Sequence, residues 1–291
     1  MSASATVVSG GRPRGLWRGR LFVAGLVLSL AVGFATLGAL LVDVLKKGVP
    51  FLDRALLLNP PSSNPDIAGA RPAILATLYI GLLLIAFTVP LGVGTAIYLE
   101  EYANRERWYN RLLEINIQNL AAVPSIVYGI LGLAFIVRGL GVGRTVLAGA
   151  MILTLLVLPT IIIAAREAIR AVPDSIRQGA YALGATKLQV VARQVLPAAI
   201  PGIATGSILA LSRAIGETAP LIVIGALTYV SFNPTLLGPF TALPIQIYQW
   251  TRLPDEDFKL LAAAGIIVLL AMLLSLNALA IWLRNRYQKK W

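Results

Sequence analysis

Ile200-Pro-Gly-Ile-Ala-Thr-Gly-Ser-Ile-Leu-Ala-Leu-Ser-Arg-Ala-Ile-Gly-Glu-Thr-Ala-Pro-Leu-Ile-Val-Ile-Gly-Ala226 is a run of 27 residues with only two charges, Arg213 and Glu217. At about 1.5 Å per residue such a run rises roughly 40 Å as a helix, enough to cross a hydrocarbon layer with some tilt. Arg213 stands near the middle of the run. A charge at the bilayer centre costs roughly 2.5–3.5 kcal/mol, so neither charge should face lipid. On a continuous helix, positions i and i+4 lie about 40° apart around the axis and about 6 Å along it, so the two side chains can pair. Two readings of that pair stay open: a self-contained bridge that locks the bundle, or the polar lining of a transport path. Gly202, Gly206, Ala210 and Ala214 recur at every fourth position. They form a small-residue ridge that lets another helix approach closely, about 100° around the helix from Arg213. Pro220 is expected to loosen the helix, as a gate or as a tolerated kink.

The rest of the chain is of the same kind. It has 291 residues, 57% of them hydrophobic and only 13% charged; a soluble domain carries about 25% charged residues. In water this composition would leave large apolar patches exposed, which excludes a soluble globular protein. Five further apolar runs give an all-α integral membrane protein with six transmembrane helices: Leu21–Val44, Ile74–Tyr98, Ile115–Val137, Thr145–Ala165, Ile200–Ala226 and Leu260–Leu283. The third is interrupted by Asn116, Gln118, Asn119 and Pro124. There is no Cys and no His. Disulfides, thiolate metal sites, imidazole ligands and the commonest general base are thereby excluded, and the catalytic inventory is too thin for a membrane enzyme.

The net charge of +12 would suggest nucleic acid in a soluble protein, but here its distribution is topological. Sixteen Lys and Arg fall on the side carrying both termini and eight on the other, which places both termini in the cytoplasm. Basic tails occupy residues 1–20 and 284–291. Leu21–Val44 is too long for the apolar region of a signal peptide and reads as an uncleaved first span. Of the longer outer loops, 45–73 is Pro- and Asn-rich and expected to be irregular. The other, 227–259, ends in Asp255, Glu256 and Asp257, either a solvated loop end or a docking point for a soluble partner.

The stretch from Arg166 to Pro197 is long for a cytoplasmic connection and reads as helical. Pro173 suits a helix start and Asp174 its first turn. Ile176, Ala180 and Leu183 share a face, Gly184 permits a turn, and Thr186 can cap a second helix bearing Leu188, Val191 and Val195. Leu196-Pro197 is expected to end it. Such an apolar ridge must dock either on the chain's own bundle or on a cytoplasmic partner. Gly179-x4-Gly184 is followed by Ala185-Thr186-Lys187 and follows no strand, so it is not a phosphate-binding loop, and ATP would have to be hydrolysed by another chain.

Gln178-Gly179-Ala180-x3-Gly184-x11-Leu196-Pro197 resembles the coupling loop of ABC-importer permeases, with Gln178, Gly179 and Gln194 departing from its Glu-Ala-Ala and Ile positions. Ser212–Leu221, Val123–Gly129 and Ala278–Tyr287 are similar to segments of the PstA family of phosphate-importer permeases. The likeness runs from about Arg71 to the C-terminus. It implies a type I transmembrane domain over residues 71–283, with a coupling segment near 171–197, preceded by a first helix and outer loop over residues 21–70. It also implies residence in a bacterial inner membrane.

The implied partners are a PstC-like permease completing the pore, two PstB-like ATPase subunits that hold the ATP and Mg, and a PstS-like periplasmic phosphate-binding protein. No cofactor is expected on this chain. By the same resemblance Arg213, Glu217 and Thr218 line the translocation path, while Gln178, Gly179, Ala180, Gly184, Leu196 and Pro197 seat on the ATPase. The alternatives are a permease for another oxyanion (phosphonate, sulfate or molybdate) and an ion-coupled secondary transporter. The latter would normally show inverted repeats, which the sequence does not.

Overall fold

The computed structural model describes residues 16–104, 106–226 and 229–287. The basic residues Arg12, Arg14, Arg105, Lys289 and Lys290 counted above lie outside these. All regular structure among the described residues is helical. Only closed hydrogen-bonding elements satisfy backbone groups in hydrocarbon, and an apolar chain without strand periodicity has the helix as its solution.

Residues 16–46 of α1 (Leu16–Gly48) form a unit of their own. Its most apolar stretch has no buried residue, and Phe34 is 70% exposed. The second unit is built around α6 (Val146–Arg170), which opens at Thr145, whose hydroxyl accepts from Ala148 N–H at 3.2 Å. α6 packs between α3 (Arg71–Ile97) and α9 (Leu196–Ile215). The α3 contact is close at Gly92, where an added Cβ would stand 2.7 Å from Ile161 Cγ2.

Three apolar clusters stack along the bundle. The middle one includes Leu84, Ile152, Val157, Leu211 and Ile215. At one end Ala96, Ala165, Ile169, Val190 and Val195 gather beneath the 166–197 connection. At the opposite end Leu56, Trp250, Phe258 and Leu261 gather beneath the loops that follow α1 and precede α12 (Glu256–Tyr287).

These two loops hold more structure than expected. The first contains α2 (Arg54–Leu58), capped by Asp53 accepting from Leu56 N–H at 2.8 Å. Within 227–259 lies α11 (Leu243–Arg252), which buries Leu243, Ile247 and Trp250 against α12 (Glu256–Tyr287). That i, i+4, i+7 pattern was present in the sequence. The acidic cluster opens α12: Asp255 Oδ1 accepts from Asp257 N–H at 3.1 Å, and Glu256 and Asp257 occupy the first turn, where carboxylates suit the helix dipole.

Two of the six expected spans are corrected. Ile115–Val137 is not one straight crossing. α4 (Trp108–Ala121) and α5 (Ser125–Gly132) meet at a 105° bend, because Pro124 cannot donate the next helical hydrogen bond and restricts Val123 to an extended backbone. Ile200–Ala226 is not continuous either. α9 ends at Ile215, and α10 (Ala219–Val223) restarts with Pro220 in its first turn, where a missing N–H costs nothing. The break therefore falls at Gly216-Glu217-Thr218, ahead of Pro220 rather than at it.

Candidate translocation and coupling sites

The two breaks meet. Ala122, Val123, Pro124 and Ser125 from the bend face Ala210, Arg213, Ala214 and Glu217 from the end of α9 across a cavity of about 240 Å³. Leu156, Val157 and Thr160 of α6 complete its wall. The bend is pinned by Tyr128, 7% exposed, whose hydroxyl donates at 2.8 Å to the Leu120 carbonyl, which also accepts from Val123 N–H at 3.1 Å. Close contact between the broken segments requires a glycine, since a Cβ on Gly129 would stand 2.8 Å from Pro220 Cα. The fold thus joins Val123–Gly129 to Ser212–Leu221, two segments about 80 residues apart in the chain.

Arg213 is exposed on the cavity wall and Glu217 is half-buried. Because α9 stops at Ile215, the i, i+4 geometry is lost, and the two side chains form no ion pair among the described residues. Glu217 is fixed by its backbone instead, its N–H donating to the Ala214 carbonyl at 3.1 Å. Thr218 stands outside the wall, its hydroxyl donating to the Gly216 carbonyl at 3.4 Å. The neighbouring Ser212 hydroxyl donates to Asn277 Oδ1 at 2.5 Å, tying this region to α12. The small-residue ridge meets α6: Cβ atoms on Gly202 and Gly206 would stand 2.8 and 2.5 Å from the Cβ atoms of Ala168 and Ala164. Ala210 and Ala214 continue it, both buried.

The 166–197 connection forms a hairpin. α7 (Asp174–Ala182) is closed by Gly184 at φ +80, with Ala185 N–H donating to the Ala180 carbonyl at 3.1 Å and Gly184 N–H to that of Tyr181 at 2.9 Å. This left-handed closure needs a residue without Cβ. Thr186 and Gln189 then form a reciprocal capping box at the start of α8 (Lys187–Val190). Leu196-Pro197 does not end the segment. α8 runs through a π turn (Val191–Val195) into α9, so Pro197 lies within an unbroken helical run, directly after the wider turn that accommodates its missing N–H.

The apolar face expected on the hairpin divides. Ala180 packs on the bundle and Val191 and Val195 are buried, but Leu183 is 90% and Leu188 68% exposed, with Tyr181 beside them. Gln178 and Gly179 are exposed as well, and a Cβ on Gly179 would meet nothing within 4 Å.

A partly buried ionic network beneath the hairpin escaped the reading of the sequence. Arg166 Nη2 lies 2.8 Å from Glu114 and 3.5 Å from Glu100. Arg170 grips Glu100 with Nε and Nη2, both at 3.2 Å. Arg177 holds Glu101 with Nε at 3.1 Å and Nη2 at 2.9 Å. The available signal was Glu100-Glu101 following an apolar run directly, in a chain with only 13 acidic residues.

Residues 88–290 match the family described as the binding-protein-dependent transport system inner membrane component. The chain belongs to that family. The matched region holds the cavity and the hairpin, and it makes the protein a multi-pass membrane permease component. Among its relatives, the phosphate transport system permease protein PstA of Yersinia pestis is 33% identical over 288 residues, covering 96% of this chain and 95% of that protein. The probable ABC transporter permease protein YqgI of Bacillus subtilis is 32% identical over 276 residues, covering 90% and 94%. In three dimensions the chain is similar to one in the crystal structure of a bacterial ABC transporter involved in the import of the acidic polysaccharide alginate. The TM-score is 0.64 at 17% identity, over 95% of this chain and 99% of that one. A chain of the inward-facing MetNI methionine ABC transporter gives 0.57 at 16% identity, over 74% and 92%. The fold is that of a type I ABC-importer permease.

Proposed function

We propose that this chain is one half of the membrane pore of an ATP-driven importer of inorganic phosphate. In this reading a PstC-like permease completes the pore, two PstB-like ATPase subunits dock on the hairpin and perform the hydrolysis, and a PstS-like binding protein delivers the anion on the opposite side. Both termini and the hairpin then lie in the cytoplasm, the side carrying the excess of Lys and Arg. The observation that carries the reading is Arg213: a guanidinium with no ion-pair partner among the described residues, on a cavity wall where two spans are broken. A charge inside an apolar bundle is retained where an oppositely charged species passes. Two names among the relatives support phosphate and ABC transport as the setting.

Glu217 would keep the anion from settling too firmly beside Arg213. The exposed Leu183 and Leu188 offer an apolar ridge of the kind a groove on an ATPase subunit would cover.

At about 4 Å and an effective dielectric of about 20, a guanidinium and a singly charged anion attract by roughly 4 kcal/mol. Losing half of that slows passage about thirtyfold. The test is labelled-orthophosphate uptake into vesicles holding the full transporter, with sulfate and molybdate in parallel. Arg213→Gln should assemble and lose uptake; normal uptake by that variant would refute the role of Arg213. Transport of sulfate or molybdate in place of phosphate would keep the permease and replace its substrate.

A further inference from the structure

We propose that the π turn Tyr98–Tyr102 is a transmission joint that holds α7 rigidly on the ends of α3 and α6, with Glu101 and Arg177 as its positioning pair. This rests on reading the hairpin as the element that receives motion from an ATPase. The turn follows α3 without a break and closes with Ala103 N–H donating to the Tyr98 carbonyl at 2.8 Å. Three successive residues of it hold three different elements. Glu100 binds Arg166 and Arg170 on α6, Glu101 binds Arg177 on α7, and the Tyr102 ring lies 5.0 Å from Lys187 Nζ at the start of α8.

Arg177 uses its whole fork. Besides Glu101 it donates from Nη1 to the Val172 carbonyl at 2.6 Å and to Asp174 at 3.1 Å, and from Nη2 to the Ile169 carbonyl at 3.0 Å. One side chain of α7 therefore caps the carbonyl end of α6 while gripping the turn that ends α3. A rigid planar guanidinium with five donors suits this task, and a lysine does not.

The burial of the pair decides between a joint and an ornamental surface bridge. The side chains of Glu101 and Arg177 are 7% and 15% exposed, unlike solvated pairs that contribute little. Moreover α7 has no buried residue of its own. The second arm of the hairpin is anchored by buried Val190, Val191 and Val195, whereas the first arm meets the apolar cluster through partly buried Ala180 and is held by this network. The polar joint, rather than apolar packing, sets where α7 sits.

The experiment uses the full transporter in lipid vesicles with Glu101→Gln and Arg177→Lys, both close in size to the native residues. Two quantities are read: ATP hydrolysed per phosphate taken up, and the spin-label distance distribution between Gly94→Cys on α3 and Ser175→Cys on α7. The chain has no cysteine of its own, and position 94 has open space for a label. Each variant should retain ATP hydrolysis, raise the ATP-to-phosphate ratio about tenfold (about 1.4 kcal/mol of lost positioning) and broaden the distance distribution. An unchanged ratio with an unchanged distribution overturns the joint, and so does parallel loss of hydrolysis, uptake and assembled complex in both variants, which marks a merely structural role. Wild-type vesicles that take up no phosphate, with distributions still broadened by the variants, would refute the phosphate reading and leave the joint standing.

Discussion

Gly206→Ala adds one methyl group where α9 crosses α6, and the structure sets its cost. The new Cβ would stand 2.5 Å from the Ala164 Cβ and 3.7 Å from its Cα. Carbon atoms rest at about 3.5–4.0 Å, so the two helices must part by roughly 1 Å at this crossing. Ala164 has no rotamer with which to yield, and α6 is held on its other side by α3. Overpacking of this kind costs about 1–3 kcal/mol. The better helix propensity of alanine offsets up to about 1 kcal/mol. A net loss of about 1–2 kcal/mol, or roughly five- to thirtyfold in the folding equilibrium, follows. The assay is reversible unfolding of the assembled transporter in mixed micelles, run as a double-mutant cycle with Ala164→Gly. Ala164→Gly removes the atom struck, so the double variant should recover most of the loss, giving a coupling energy of about 1–2 kcal/mol. Full stability of Gly206→Ala, or strict additivity in the cycle, would refute the close approach.

The hairpin gives two further tests. Leu183→Glu alters a side chain that is 90% exposed, so folding should change by no more than about 0.5 kcal/mol. Retention of the ATPase subunit on purification should fall about ten- to a hundredfold, the value of one leucine buried at an interface. Gly184→Ala places a Cβ at φ +80, a strain of about 1–2 kcal/mol, and should lower the melting temperature of the transporter. Gly179→Ala, with open space at its Cβ, should leave it unchanged.

The elements legible in the sequence were those set by one-dimensional physics. Leu21–Val44 and Leu260–Leu283 were readable because about 20 apolar residues have few destinations other than hydrocarbon. Gly184 as a turn and Thr186 as a cap were readable because the backbone requirement is local. The i+4 ridge of Gly202 and Gly206 was legible as a packing face, but its partners Ala164 and Ala168 were not, since nothing in one helix names the other. α11 was passed over because a loop was expected there, although Leu243, Ile247 and Trp250 carried the pattern. The arginines of the ionic network were counted for topology alone, and their partners Glu100, Glu101 and Glu114 lie 52 to 76 residues away.

The sequence by itself determined that this chain is a helical membrane protein, which segments are apolar enough to cross, and that a charge would sit deep within it. Composition and periodicity fix these, since transfer into hydrocarbon is decided residue by residue. The tertiary structure alone decided that Arg213 and Glu217 share a cavity wall without pairing with each other. Helix continuity at Gly216 depends on how α10 seats against α5, a contact made at Gly129 and Pro220. It also decided that three residues of one π turn carry the hairpin, because buried charges are stable only where distant partners converge on them, and that convergence exists only in the folded chain.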